Sequence, residues 1–194
     1  MNLDRLSAAQ ARLLARIDGL SDHTAQQPSL LPGWTVGHVL SHLARNADSV
    51  VRRLEGAARD EIVDQYPGGF EGRAREIDDG ATAPAAHLVD DVRATNLAVE
   101  RLVAQLPEEA WTRPTRSVSG QLDSAFAVLE SRIREVEVHH VDLDLGYRPV
   151  DWPAEFVRDE LAIALPQLAD RADPAQLLGW LIGRAPAPTL APWR

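Results

Sequence analysis

The sequence predicts a protein of the mainly all-α class, built around a four-helix bundle. Four segments of roughly 20 residues repeat their apolar positions every three to four residues, as amphipathic helices do. Segments rich in proline and glycine separate them. The separating segment between Gly56 and Pro84 is much longer than the others, so it predicts a long crossover between the second and third helices.

The first two helices are predicted from apolar spacing and from residues typical of helix ends. The first is expected from Asp4 to about Thr24. Its apolar face is formed by Leu6, Leu13, Leu14, Ile17 and Leu20. The second is expected to begin after Thr35, a good N-cap residue, and to stop at Gly56.

The last two bundle helices follow the crossover. The third is expected from about Pro84 to Leu106. The fourth carries the stretch "ESRIREVEVHHVDLDL", Glu130 to Leu145, in which acids and two adjacent histidines are crowded together. This stretch is either a solvated charged face or part of a metal site.

A short C-terminal appendage is expected after the bundle. Two shorter helical segments follow "GYRPVDWP", Ala154 to Ala172 and Pro174 to Gly183, and a proline-rich tail "RAPAPTLAPWR" comes after them. The predicted organisation is therefore a bundle over residues 1–147 and an appendage over residues 148–194.

Composition excludes several classes of function. The formal net charge of −9 opposes binding to nucleic acid or to an acidic membrane surface. No apolar run is long enough for a membrane span and the N-terminus lacks a signal peptide pattern, so a cytoplasmic location is expected. The chain has no cysteine, so any sulfur chemistry must come from another molecule.

Helical geometry predicts where the histidines of the second helix point. At 100° per residue, His42 lies on the flank of the apolar stripe, on the same side as Asn46. His38 falls roughly opposite that stripe and is expected to face water. Arg52 and Arg53, near the end of the same helix, are expected on a solvated face.

The fourth helix offers two pairs of possible ligands. Glu135 and His139 are four residues apart on one flank, so their side chains can converge on one ion. Glu137 falls on the other flank and His140 points closer to the core, which makes them the alternative pair. An acid and a histidine at this spacing are more often a surface pair than a metal site.

One flank histidine and one Glu/His pair on facing helices could supply three ligands to a single ion. Two imidazoles and one carboxylate suit catalytic zinc, which keeps a fourth position open for water or substrate. The same ligands also serve non-haem iron(II), which we consider the weaker candidate.

Two distant motifs resemble the mycothiol-dependent maleylpyruvate isomerase family, within the DinB-like metal-binding four-helix bundles. They are "LLPGWTVGHVLSHLARNADS" and, about 90 residues later, "SRIREVEVHHVDLDLG". The positions that match the family pattern are Gly33, Trp34, His38, His42, Arg132, Glu135, His139, Asp142 and Leu143.

The resemblance implies that the metal ligands are His42, Glu135 and His139, the set that helical geometry also favours. It implies that the external thiol is mycothiol, whose thiolate would occupy the open position on the metal. His140 is then only a neighbour of a ligand, and Glu137 is expected to be solvated.

Three further residues are expected to support the site. Asn46 and Asp142 are candidates to accept a hydrogen bond from the ring of a metal-bound histidine. Gly183 and Arg184 resemble a Gly-Arg pair of the family whose arginine has a catalytic role, so Arg184 is the candidate for holding substrate charge. The alternative is that Arg184 only closes a helix. Full-length members carry a larger C-terminal α/β domain, of which this chain has a reduced version.

The sequence therefore predicts a metal-dependent enzyme with two partners, a small-molecule thiol and a small electrophilic substrate. Addition of the thiolate would lead to cis-trans isomerisation if the adduct eliminates, or to S-transfer if it persists. The alternatives are a binding or regulatory module whose metal site is structural or vacant, and a metal hydrolase that uses no thiol.

Overall fold

The computed structural model describes residues 2–191. The α-helices of this range are α1 (Asn2–Ile17), α2 (Asp22–Ala25), α3 (Val36–Ala58), α4 (Gly69–Ala81), α5 (Ala85–Gln105), α6 (Ala125–Asp142), α7 (Ala154–Ala164), α8 (Leu168–Arg171) and α9 (Pro174–Leu181). Two short strands are β1 (Pro114–Arg116) and β2 (Leu122–Ser124). The chain divides into two compact units, one ending at Arg148 and the other beginning at Pro149.

Helices α1, α3, α5 and α6 form a four-helix bundle, as the sequence predicted. Helix α3 packs against α5 and α6, and α1 packs against the same two helices. The core between them consists of apolar side chains that are almost completely buried, among them Leu13, Ile17, Leu40, Leu43, Leu88, Val92 and Val136. Burial of this shared apolar stripe is the main source of bundle stability.

The ends of the first two bundle helices differ from the prediction. Helix α1 ends at Ile17 because Gly19 adopts a left-handed conformation, with φ of 69°, and a separate short helix α2 follows. Helix α3 begins after Thr35, as predicted, but continues past Gly56 to Ala58. Gly56 lies inside the helix, at a position where a side chain would overlap the backbone oxygen of Glu61.

The crossover between α3 and α5 contains a regular helix, α4, that packs on α3. The two helices approach closely at Gly37, where an added Cβ would overlap the backbone oxygen of Ala81. This close packing places one face of α4 beside the first turns of α3, the part of the bundle that carries His42.

The segment between α5 and α6 forms an antiparallel hairpin that the sequence analysis did not predict. Thr115 of β1 pairs with Asp123 of β2. The buried Thr115 hydroxyl accepts a hydrogen bond of 2.9 Å from Nη2 of Arg53. The expectation that Arg53 is solvated was therefore wrong, since the hairpin covers it and leaves it only 6% exposed.

The second unit consists of α7, α8 and α9. The single helix expected from Ala154 to Ala172 is interrupted by a 3₁₀ turn at Leu165–Gln167, which contains Pro166. Helix α9 is capped by Asp173, whose carboxylate accepts from two backbone N–H groups. Residues 192–194, with which the predicted appendage ends, lie outside the described range. Over residues 2–191, no helix is both long enough and apolar enough to cross a membrane.

Candidate metal centre

Helices α3 and α6 bring His42, Glu135 and His139 to one point. Nε2 of His42 lies 2.9 Å from Oε2 of Glu135 and 3.1 Å from Nε2 of His139. Nε2 of His139 is 3.3 Å from the same carboxylate oxygen. The sequence analysis named these three residues, and the structure brings them together at one site.

A capping box closes the first turn of α3, one turn before His42. The hydroxyl of Thr35 accepts from the backbone N–H of His38, and Nδ1 of His38 accepts in return from the backbone N–H of Thr35. His38 thus takes part in a capping box, and its ring stacks on that of Trp34 with 6.2 Å between the ring centres. One turn later, the side chain of His42 is only 4% exposed.

A loop before α3 places an aromatic ring against His42. Gly33 has φ of 80°, a conformation that favours glycine, and it turns the chain just before Trp34. The ring of Trp34 contacts that of His42 edge to face, with 5.6 Å between the ring centres. The backbone N–H of Leu30 donates to the carbonyl of Asp142 at 2.9 Å, which ties this loop to the end of α6. Trp34 was noted in the sequence only as part of a motif.

The charges of the cluster follow from burial and hydrogen bonding. Burial lowers the pKa of His42 to about 4, against the opposing effect of Glu135, so this imidazole is neutral near pH 7. Burial alone would raise the pKa of Glu135, but hydrogen bonds from His139 and His42 outweigh it and hold that pKa well below its usual range. Glu135 is therefore an anion.

His139 is held in place by Asp142. Oδ2 of Asp142 accepts from Nδ1 of His139 at 2.8 Å. Burial lowers the pKa of His139, but the hydrogen bonds to Asp142 and Glu135 outweigh it and raise the pKa to about 9. A carboxylate on Nδ1 also directs the lone pair of Nε2 towards a metal once that nitrogen loses its proton.

Asn46 lies one turn after His42 but contacts a different partner. Its Oδ1 accepts a hydrogen bond of 2.7 Å from Nη1 of Arg132. The same guanidinium donates to the carbonyl of Leu43 and to Oδ1 of Asn96. Among the described residues, no hydrogen bond joins Asn46 to either histidine of the cluster.

The alternative pair on α6 lies away from the cluster. Glu137 is 1% exposed, forms an ion pair with Arg12 of α1, and accepts a hydrogen bond of 2.7 Å from the hydroxyl of Tyr147. His140 is equally buried, and its ring stacks on that of Tyr147 with 3.8 Å between the ring centres. The expectation that Glu137 is solvated was wrong, because α1 covers that flank of α6.

Two arginines outside the bundle helices, Arg73 and Arg184, belong to different units of the chain. Arg73 of α4, which the sequence analysis did not consider, places Nη2 3.1 Å from Nδ1 of His42. Arg184 belongs to the second unit, where it is exposed and follows Gly183, whose φ of 71° ends α9. Nη1 of Arg184 donates to the carbonyl of Gly183 at 3.3 Å.

The three convergent side chains fit a divalent metal. Their ligand atoms lie within 4.8 Å of one another, and they comprise two imidazole nitrogens and one carboxylate oxygen. This donor set is typical of catalytic zinc sites with an open position, and it also serves iron(II).

The fold and the cluster define a class: four-helix bundles with a candidate two-histidine, one-carboxylate metal site on facing helices. The chain belongs to the family described as the mycothiol maleylpyruvate isomerase N-terminal domain, whose pattern matches residues 6–144. The resemblance to this family seen in the sequence is thereby confirmed.

Two solved structures are similar to this chain. One is the crystal structure of the mycothiol-dependent maleylpyruvate isomerase, with 25% identity and a TM-score of 0.77. The other is a histidine-to-alanine mutant of that enzyme, with 24% identity and a TM-score of 0.77. Each alignment covers 81% of this chain but only 65% of the other, so the chain spans less than two thirds of those proteins. A comparison with curated proteins gave no match.

Proposed function

We propose that this protein is a metal-dependent enzyme that uses mycothiol to attack a small electrophilic substrate, as an isomerase or an S-transferase. The observation that carries the proposal is the convergence of His42, Glu135 and His139 on one point in a chain of this family. Because the chain spans only 65% of the similar solved structures, the activity and substrate of those proteins remain proposals for this one.

The metal would be held by Nε2 of His42, Nε2 of His139 and Oε2 of Glu135. When bound, zinc supplies a positive charge that deprotonates a coordinated thiol near neutral pH. Asp142 keeps the His139 ring oriented through its bond of 2.8 Å to Nδ1. Trp34 packs against the ring of His42, whose side chain is only 4% exposed.

Arg184 remains our candidate for holding the charge of the substrate. Its guanidinium is exposed, so it can be reached by a carboxylate, and a bidentate fork of donors suits such a group. The substrate decides between the two reactions. Isomerisation results if the thiol adduct eliminates, and S-transfer results if the adduct persists. The cytoplasmic location stays a prediction from the sequence.

Metal analysis of the purified protein is the first test. We expect one zinc per chain, and we expect His42→Ala to abolish it. His87→Ala is the matched control, because His87 is an exposed histidine on α5. Absence of stoichiometric metal, or equal metal content in His42→Ala and wild type, would refute the metal site and favour a binding module.

Thiol use is tested on the zinc-loaded protein. We expect mycothiol to raise the melting temperature, since a ligand that binds only the native state stabilises it. A screen with mycothiol against maleylpyruvate and general electrophiles then separates isomerase from transferase. Turnover of a hydrolysable substrate with no response to mycothiol would instead indicate a hydrolase that uses no thiol.

A further inference from the structure

Arg73 of α4 lies against the candidate metal ligand His42. Its side chain is half-buried, and Nη2 is 3.1 Å from Nδ1 of His42. The guanidinium carbon also lies 5.8 Å from the ring centre of the buried Tyr66, within the range of a cation–π contact. Arg73 therefore has two contacts at the site, one to an imidazole nitrogen and one to an aromatic ring.

The contact with His42 is compatible with only one form of that imidazole. A guanidinium has donors and no acceptor, so Nδ1 of His42 must accept. A neutral imidazole carries one proton, which then sits on Nε2, the atom that faces Glu135 and His139. Ligation through Nε2 needs the lone pair of that nitrogen, so the proton must move to Nδ1.

Metal binding therefore leaves two hydrogen-bond donors opposite each other, Nδ1–H of His42 and Nη2–H of Arg73. A protonated Nδ1 cannot bond to Nη2 of Arg73, and the guanidinium cannot be deprotonated to relieve the conflict. The bond of 3.1 Å must break when His42 binds a metal. The cation–π contact with Tyr66 does not depend on that bond, so it can hold the guanidinium beside the site after the bond is lost.

We propose that Arg73 is an anion-holding residue of this site that metal binding releases from His42. In the metal-free protein its donors are directed at the imidazole. In the loaded protein they are directed at a carboxylate of a molecule bound beside the metal, which couples anion binding to metal occupancy. The inference rests on the proposed function in one respect: it requires His42 to be a metal ligand.

The first measurement is zinc affinity by competition with a chromophoric chelator. We expect Arg73→Ala to bind zinc about tenfold more tightly than wild type, because zinc no longer has to break one hydrogen bond. Arg75→Ala is the matched control, since Arg75 is an exposed arginine on the same helix and its loss changes the net charge equally. Arg73→Met repeats the test with a side chain of similar length.

The second measurement compares two thiols on zinc-loaded protein by calorimetry. Mercaptoacetate carries a carboxylate, whereas 2-mercaptoethanol does not. We expect Arg73→Ala to weaken mercaptoacetate about tenfold, as for the loss of a hydrogen bond between charged groups, and to leave 2-mercaptoethanol unchanged. An equal effect on both thiols would overturn the assignment of Arg73 to a carboxylate.

Failure of this inference is distinguishable from failure of the metal site. If wild type binds zinc and His42→Ala does not, but both Arg73 variants bind zinc as Arg75→Ala does, the release of Arg73 is refuted and the proposed metal site stands. If wild type binds no zinc, the proposed metal site is refuted, and the release of Arg73 is refuted with it.

Discussion

Arg132 joins three helices of the bundle through a side chain that is fully buried. Its guanidinium donates to the carbonyl of Leu43 at 2.9 Å, and to the side-chain oxygens of Asn46 and Asn96 at 2.7 Å each. These acceptors belong to α3 and α5, whereas Arg132 belongs to α6. Replacement by methionine removes the charge and the donors but keeps much of the volume.

The structure gives an approximate size for the effect of Arg132→Met. Three hydrogen bonds from a charged donor contribute about 2 kcal/mol each, or about 6 kcal/mol together. Burial lowers the pKa of Arg132 from 12.5 to about 10, which corresponds to a cost of about 3 kcal/mol for burying the charge. The expected net loss of stability is therefore about 3 kcal/mol.

Urea denaturation followed by circular dichroism measures this loss. Arg101→Met is the control, because Arg101 is an exposed arginine on α5, and its free energy of unfolding should stay within about 0.5 kcal/mol of wild type. If Arg132→Met is as stable as that control, the buried bonds only offset the cost of the charge. The reasoning that assigns net stability to this network would then be wrong.

Three other outcomes follow from the site and the bundle. Asp142→Asn should lower zinc affinity about tenfold or more, measured by chelator competition, because it weakens the acceptor on Nδ1 of His139. Gly37→Ala should lower the free energy of unfolding by about 1 to 3 kcal/mol, since the new methyl group overlaps the backbone oxygen of Ala81. In the metal-free protein, burial opposes the protonation of His139, but Asp142 and Glu135 raise its pKa from 6.5 to about 9. The folded protein then holds a proton that the unfolded chain loses between those values, so stability should fall as pH rises from 6.5 to 9, by up to about 3 kcal/mol. His139→Gln should flatten that pH dependence in thermal unfolding scans.

The directions of side chains within one helix could be predicted from the sequence. A rotation of 100° per residue placed Glu135 and His139 on one flank of α6 and His42 on a flank of α3, and the structure brings these flanks together. The prediction succeeded because the apolar stripe fixes the rotation of each helix about its own axis. Residues typical of helix ends were less informative, since Gly56, at which the second helix was expected to end, lies inside α3.

Contacts between helices could not be predicted in the same way. The flank of α6 that carries Glu137 was expected to face water, yet α1 covers it and Arg12 pairs with it. A single helix shows which residues share a side but not which neighbour covers that side. Arg73 was missed for a related reason. It lies in the crossover, for which the sequence analysis predicted only the length, and the packing of α4 on α3 brings it to His42.

The buried network and the candidate metal centre depend on the same alignment of α3 and α6. Arg132 precedes Glu135 by three residues, and its bond to the carbonyl of Leu43 reaches the residue next to His42. These bonds fix how far α6 is shifted along α3 at the level of the three convergent side chains. An apolar residue at position 132 would fill the space without specifying that shift. Arg132, with acceptors on two other helices, therefore holds α6 at one position along α3 in addition to stabilising the bundle. The ligand atoms converge only if α3 and α6 keep that alignment.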